Sequence, residues 1–193
     1  MGLLRVESGM TATLKELFVS HGKTDKHTAH SYDVIYESLF SNRKTKVKNF
    51  LEIGVSYFGG GDLAAFGKYF PKAQVHGVDI NPLDTTDFPT NVHFHLGDGY
   101  NVEFLKTLPD VKWDIVLDDG PHTYESQLFV FDYFKDKLAK NGMILVEDIY
   151  PQNAAHLVNN FPGNKEFLTI LDRRFTRPNN QYQNDIIFMY TPV

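Results

Sequence analysis

This sequence predicts an α/β fold built on a mostly parallel seven-stranded sheet, and three observations carry the prediction. Strand-like and helix-like segments alternate over residues 46–150, which implies parallel strands joined by helices and covered on both faces. Two strand-like runs near the end have no helix between them and pair as an antiparallel hairpin. The predicted strands stop, one after another, on acidic residues, at the ends where an open parallel sheet binds its ligands.

Two helices come first. TATLKELFVSHG (11–22) places apolar residues at helical spacing and ends on a glycine able to close it. HSYDVIYESLFSN (30–42) repeats the pattern with Tyr32, Ile35, Tyr36 and Leu39. KNFLEIG is the first strand and GDLAAFGKYF the helix after it. AQVHGVDI and VHFHLGD are the second and third strands, NVEFLKTL is a helix, and WDIVLDD is a buried fourth strand. YESQLFVFDYFKDKLAKNG reads as one amphipathic helix, with Leu128, Phe131, Phe134 and Leu138 on one side and Gly142 just past its end. MILVEDI is the fifth strand, a helix follows around 153–161, and KEFLTILDRR and NDIIFMYTP form the hairpin.

The bulk composition narrows the function. A chain of 193 residues, 42% hydrophobic and without an internal repeat, is expected to form one domain with one sizeable core. No apolar run reaches the roughly 18 residues of a membrane span, and the first residues lack the pattern of a secretory signal. Cysteine is absent, which excludes disulfides and thiolate metal sites and fits a reducing compartment. The expectation is a cytoplasmic protein whose metal, if it has one, sits on oxygen or imidazole. A net charge of −5 argues against a sequence-independent grip on nucleic acid. NRKTKVK (42–48) reads as a solvated connector, whereas the arginines of DRRFTR (172–177) leave open a face toward a substrate.

The first strand ends at Glu52 and Gly54, the second at Asp79, the third at Asp98, the fourth at Asp118 and Asp119, and the fifth at Glu147 and Asp148. Any one of these has an ordinary explanation, and for Asp98 helix capping is the simpler one. Five acidic strand ends together point to a ligand, because buried carboxylates are costly unless paired or bound. Gly54, Gly59, Gly60 and Gly61 leave the turn after the first strand open to close approach. The turn lacks the middle glycine of a dinucleotide fingerprint, where it has Ser56. Asp79, at the end of the second strand, is placed to accept two ribose hydroxyls. A nucleoside ligand follows.

At this point the sequence resembles a known family. LEIGVSYFGGGDLAAFGKYFPKAQVHGVDI looks like the first motif and acidic second strand of class I S-adenosylmethionine-dependent methyltransferases. With IVLDDGPH, MILVEDI and the upstream GKTDKHTAHSYDVIYESLF, it resembles the metal-dependent macrocin and mycinamicin sugar O-methyltransferases from about residue 22 to 149. The resemblance implies a Rossmann-like class I methyltransferase sandwich, with residues 1–45 covering the cofactor and 46–193 forming the core of one domain. It also implies roles. The loop from Glu52 to Gly61, with Gly54, Ser56, Tyr57 and Gly59, would hold the methionine end of S-adenosylmethionine. Asp79 and the adjoining Ile80 would hold the ribose, Asp98 and Gly99 the adenine edge, and Asp118 would lie beneath the sulfonium. Thr24, Asp25 and Tyr32 are candidates in the covering segment. Asp119, Asp148 and Glu147 would ligate Mg²⁺, and His122 would be the general base.

The chemistry is coherent with those residue types. A hydroxyl is a poor nucleophile while protonated. Magnesium prefers carboxylate oxygens and lowers the pKa of a bound hydroxyl, and an imidazole accepts protons near neutral pH. For His122, on a loop after DDGP, a turn role is the bland alternative, and the neighbouring carboxylates favour catalysis. His76, His93 and His95, inside strand patterns, are expected as packing or surface residues. Relatives usually carry Ser at Pro121 and Ser or Thr at Asp62, and 193 residues leave little room for their substrate-covering segments. The function expected is Mg²⁺-assisted O-methylation of a small-molecule acceptor, a sugar or natural product. A metal-free N- or C-methyltransferase, an NAD(P)-dependent reductase and a non-catalytic cofactor-binding module stay open as alternatives, as does a homo-oligomeric state.

Overall fold

The structure is a computed structural model that describes residues 12–28, 30–175 and 183–192. Strands β1 (Asn49–Ile53), β2 (Gln74–Asp79), β3 (Val92–Leu96), β4 (Trp113–Asp118), β5 (Leu138–Val146), β6 (Leu168–Asp172) and β7 (Ile186–Tyr190) form one sheet in the order β3-β2-β1-β4-β5-β7-β6. The first five run parallel, and β7 lies antiparallel to both β5 and β6. The parallel sheet and its terminal hairpin are therefore as expected. Part of the hairpin connection, including Arg177 of DRRFTR, lies outside the described residues, as do residues 1–11.

Side-chain alternation divides the core into two layers. Phe50 joins a layer with Phe18 of α1 (Leu14–His21), Tyr36 of α2 (Tyr32–Phe40) and Phe66 of α3 (Gly61–Tyr69). Leu51 and Ile53 face the other layer, with Leu105 of α4 (Val102–Leu105), Phe131 of α5 (Tyr124–Phe134) and Leu157 of α6 (Pro151–Asn159). α1 starts at a capping box between Thr13 and Glu16 and is closed by Gly22 at φ +63°, so its ends follow local chemistry.

One element differs from expectation. The helix predicted over YESQLFVFDYFKDKLAKNG (124–142) stops at Phe134, and Leu138 begins β5, where it pairs with Trp113. The Trp113 amide donates to the Lys137 carbonyl at 2.9 Å, so sheet pairing claims the segment before helical periodicity can. Gly142 is not a helix terminator. It sits at a register shift where a Cβ would come within 2.7 Å of the Trp113 carbonyl oxygen.

The strand order positions the site. β1 is flanked by β2, which follows it directly, and by β4, which the chain reaches only after returning from the β3 edge. This reversal opens a crevice at the C-terminal ends of β1 and β4. Backbone pairing runs on past the strands there: Gly54 N donates to Val78 O at 2.9 Å, Asp119 N to Ile53 O at 2.8 Å and Glu147 N to Asp118 O at 3.0 Å. The acidic strand ends thus occupy neighbouring rungs of one ladder.

Candidate functional site

Gly54 shows why the turn after β1 has its composition. Its φ is +88°, and a Cβ would lie 2.1 Å from the carbonyl oxygen of Asp119. Gly61 is similar, since a Cβ there would lie 2.4 Å from the Lys23 carbonyl oxygen. Both glycines are thus demanded by the chain's own backbone, in addition to any ligand. Asp79 then clamps the turn: its Oδ2 accepts from the amides of Val55 at 3.0 Å and Ser56 at 2.9 Å, and its Oδ1 from the amide of Asn81 at 2.8 Å. Burial alone would raise this carboxyl, but those hydrogen bonds hold it below its usual range.

Two cavities meet at this turn. One of about 440 Å³ is bounded by Gly54, Ser56, Tyr57, Asp79, Ile80, Asp98 and Gly99. The other, about 330 Å³, is bounded by Asp25, Phe58, Asp62, His122 and Asp148. Gly54, Tyr57, Asp119 and Gly120 belong to both walls. Tyr57 is 90% exposed and Ile80 70% exposed, so both offer apolar surface to an incoming molecule instead of packing.

Beneath the second cavity lies a lysine that the sequence reading missed. Lys26, in the segment between α1 and α2, is 1% exposed. Its Nζ lies 2.5 Å from Asp119 Oδ2, 2.8 Å from Glu147 Oε2, 3.7 Å from Asp62 Oδ2 and 3.8 Å from Glu52 Oε1. Burial works to lower the ammonium's pKa, yet the surrounding carboxylates hold it well above its usual value. Burial also pushes Glu147 up to about 7, with Lys26 opposing, and Asp118 up to about 7 despite a hydrogen bond from the Tyr100 hydroxyl. Glu52 is fully buried, and among the described residues neither of its carboxylate oxygens has a hydrogen-bond partner. Carboxylates outnumber cations here, an arrangement that favours a cationic guest.

The expected residues fall into three groups. Gly54, Ser56, Tyr57, Asp79, Ile80, Asp98 and Gly99 line the larger cavity, and Gly59 lies in the adjoining turn at φ +73°. Asp98 accepts from the amide of Tyr100, while the cap of the following helix is Asn101. Asp119, His122 and Asp148 form a second group, whose ligand atoms all lie within 4.8 Å of one another. His122 Nε2 is 3.8 Å from Asp119 Oδ1 and 3.7 Å from Asp148 Oδ2. His122 and Asp148 hold φ values of +55° and +53°, a backbone state that non-glycine residues adopt at a cost and that clusters at functional sites.

The third group borders neither cavity. Glu52, Glu147 and Asp118 are buried beneath them, with Glu147 turned to Lys26. Thr24 and Tyr32, expected at the cofactor, point elsewhere. The Thr24 hydroxyl accepts from the Lys26 amide at 3.2 Å, and the Tyr32 hydroxyl donates to Asp148 Oδ1 at 2.6 Å. No spacing rule flags Lys26, because its four partners come from four other parts of the chain. The only hint was its place in a polar run between two amphipathic helices.

A parallel sheet with a cavity at its reversal point and an acidic residue ending the second strand defines a class, the Rossmann-like α/β domains that bind nucleoside-bearing ligands. Residues 51–149, just over half of the chain, match a family model described as "Methyltransferase domain", and the chain belongs to this family. It is 32% identical over 143 residues to the 8-demethyl-8-alpha-L-rhamnosyl tetracenomycin-C 2'-O-methyltransferase of Streptomyces olivaceus, covering 70% of this chain and 37% of that protein. It is 27% identical over 128 residues to the mycinamicin VI 2''-O-methyltransferase of Micromonospora griseorubida, covering 63% of this chain and 32% of that protein. Among solved structures, the MycE methyltransferase of the mycinamycin pathway, in complex with Mg, SAH and mycinamycin VI, superposes with a TM-score of 0.73 at 20% identity. That match covers 94% of this chain and 54% of MycE. The chain thus spans less than half the length of these two curated relatives, and the shared fold is the class I methyltransferase sandwich.

Proposed function

We propose that this chain transfers a methyl group from S-adenosylmethionine to a hydroxyl oxygen of a small molecule, with Mg²⁺ assisting. The observation that carries the reading is the junction of the two cavities, where Gly54, Tyr57, Asp119 and Gly120 are common walls and Asp119, His122 and Asp148 converge. The O-methyltransferase relatives and the Mg and SAH in MycE support it.

In this reading the larger cavity takes the cofactor. Asp79 faces the ribose, Asp98 and Gly99 the adenine edge, and the turn from Gly54 to Gly59 the methionine end. The buried Asp118 carboxyl would lie beneath the sulfonium, whose positive charge would favour its ionised form. The residues fit a divalent ion held by Asp119 and Asp148, each of which uses one oxygen within the protein and turns the other toward His122, whose imidazole stays off the ion as the base. Such an ion supplies a lowered hydroxyl pKa when bound. His122 receives the acceptor's proton, and the two carboxylates facing its Nε2 stabilise the resulting imidazolium. Tyr57 and Phe58, edge to face at 4.8 Å between centroids, give the acceptor an apolar wall suited to a sugar ring or a natural-product scaffold.

The test is turnover. Purified chain incubated with S-adenosylmethionine, Mg²⁺ and a panel of sugars, glycosides and catechols is expected to release S-adenosylhomocysteine, and EDTA to stop it. Release that is indifferent to EDTA would favour the metal-free alternative. Tight NAD(P) binding without S-adenosylhomocysteine binding would favour the reductase.

A further inference from the structure

Asp119 and Asp148 have their two oxygens in different surroundings. Asp119 Oδ2 lies 2.5 Å from Lys26 Nζ, while Oδ1 lies 3.8 Å from His122 Nε2. Asp148 Oδ1 accepts from the Tyr32 hydroxyl at 2.6 Å, while Oδ2 lies 3.7 Å from His122 Nε2. The segment between α1 and α2 and the start of α2 therefore take one oxygen from each carboxylate and leave the other to the site.

Asp119 also belongs to two groups with the spacing of ion ligands. The outer group is Asp119, His122 and Asp148, and the inner group is Glu52, Asp62 and Asp119. The Lys26 ammonium lies within 3.8 Å of all three inner carboxylates. Glu52 gives a second, independent sign of an ion seat: it is 0% exposed, and both its oxygens lack a hydrogen-bond donor among the described residues. Burial and the neighbouring Asp62 push this carboxyl well above its usual range, the ammonium at 3.8 Å opposes them, and its coordination capacity is unused.

We propose that Lys26 is a tethered resident cation: it fills the inner carboxylate group and positions Asp119, so that the protein takes a single divalent ion, at the free oxygens of Asp119 and Asp148 in the outer group. Lys26 is a positioning residue, since it acts through Asp119 and borders neither cavity. A monovalent ammonium on a covalent stem cannot dissociate, so the inner group stays closed to exchangeable metal. The inference rests on the metal-assisted reading of the site.

The experiment counts bound Mn²⁺, as a stand-in for Mg²⁺, by electron paramagnetic resonance on the full chain with S-adenosylhomocysteine present. The natural sequence is expected to bind one ion and Lys26→Met two, with lines broadened because the two ions share Asp119. The chain has no cysteine, so Lys26→Cys, alkylated with 2-bromoethylamine in denaturant and refolded, restores an ammonium at this position alone and should restore a count of one. If Lys26→Met does not fold, Lys26→Met with Glu147→Gln removes one excess charge, leaves the inner group intact and should also bind two. A folded variant without Lys26 that still binds one ion would overturn the inference, as would two ions in the natural sequence, and in both cases the metal reading survives. No Mn²⁺ bound to the natural sequence would overturn both.

Discussion

Two clusters of ionisable side chains sit on this sheet, one in the crevice beyond β1, β4 and β5 and the other on the face of β2 and β3. The second is a stack of histidines. His76 pairs in register with His93, its Nδ1 lies 2.9 Å from His95 Nε2, and its ring meets Trp113 edge-on at 5.5 Å between centroids. Burial, with His95 and His93 nearby, lowers His76 to about 4. By the size of that shift it would rank with the acidic crevice as a candidate site. It borders neither cavity of the crevice, however, and its members are register neighbours on adjacent strands. The acidic cluster is drawn from separate loops and strand ends, keeps buried oxygens without donors, and opens onto space. A perturbed pKa marks function only where geometry leaves room for a guest.

The largest test of this contrast is His122→Ala. General-base loss costs about 10²–10⁴-fold in rate, so kcat should fall by that much while S-adenosylhomocysteine affinity holds. His76→Leu should leave kcat unchanged. Equal losses in the two variants, measured by product release, would erase the distinction.

Next in size is Asp79→Ala. Hydrogen bonds to charged groups contribute about 1.5–3 kcal/mol, so S-adenosylhomocysteine should bind roughly 10–100-fold more weakly by calorimetry. An unchanged affinity would remove Asp79 from the cofactor site.

The smallest effects are on stability, and here the two clusters carry opposite signs. Asp118 stands at about 7 in the folded chain against an ordinary 3.8. The folded state therefore keeps a proton that the unfolded chain releases, and this contribution declines as pH rises from 3.8 to 7. His76 stands at about 4 against 6.5. The unfolded chain takes up a proton that the folded one refuses, so this contribution is complete above 6.5 and is lost as pH falls toward 4. Urea midpoints between pH 4 and 8 should show a flatter acid limb in His76→Leu and a flatter approach to neutrality in Asp118→Asn. An unaltered acid limb in His76→Leu would show that the stack does not govern acid sensitivity.

Much of this molecule is legible in the order of its residues. Alternating strands and helices, the acidic residue closing each parallel strand and the glycine turn at 54–61 all depend on neighbours a few positions apart, and local periodicity and turn chemistry report such features directly. The same locality misled at Leu138, where apolar spacing continued a helix that the sheet interrupts. Only the tertiary structure decided that β1 and β4 lie side by side, that Gly54 is glycine because the Asp119 carbonyl occupies the space of its Cβ, and that Lys26 is buried among carboxylates. Lys26 and Glu147 stand 121 positions apart. Nothing along the chain can signal a contact that exists only once the strands have been ordered, because the energy that holds the ammonium there comes from carboxylates the fold brings together.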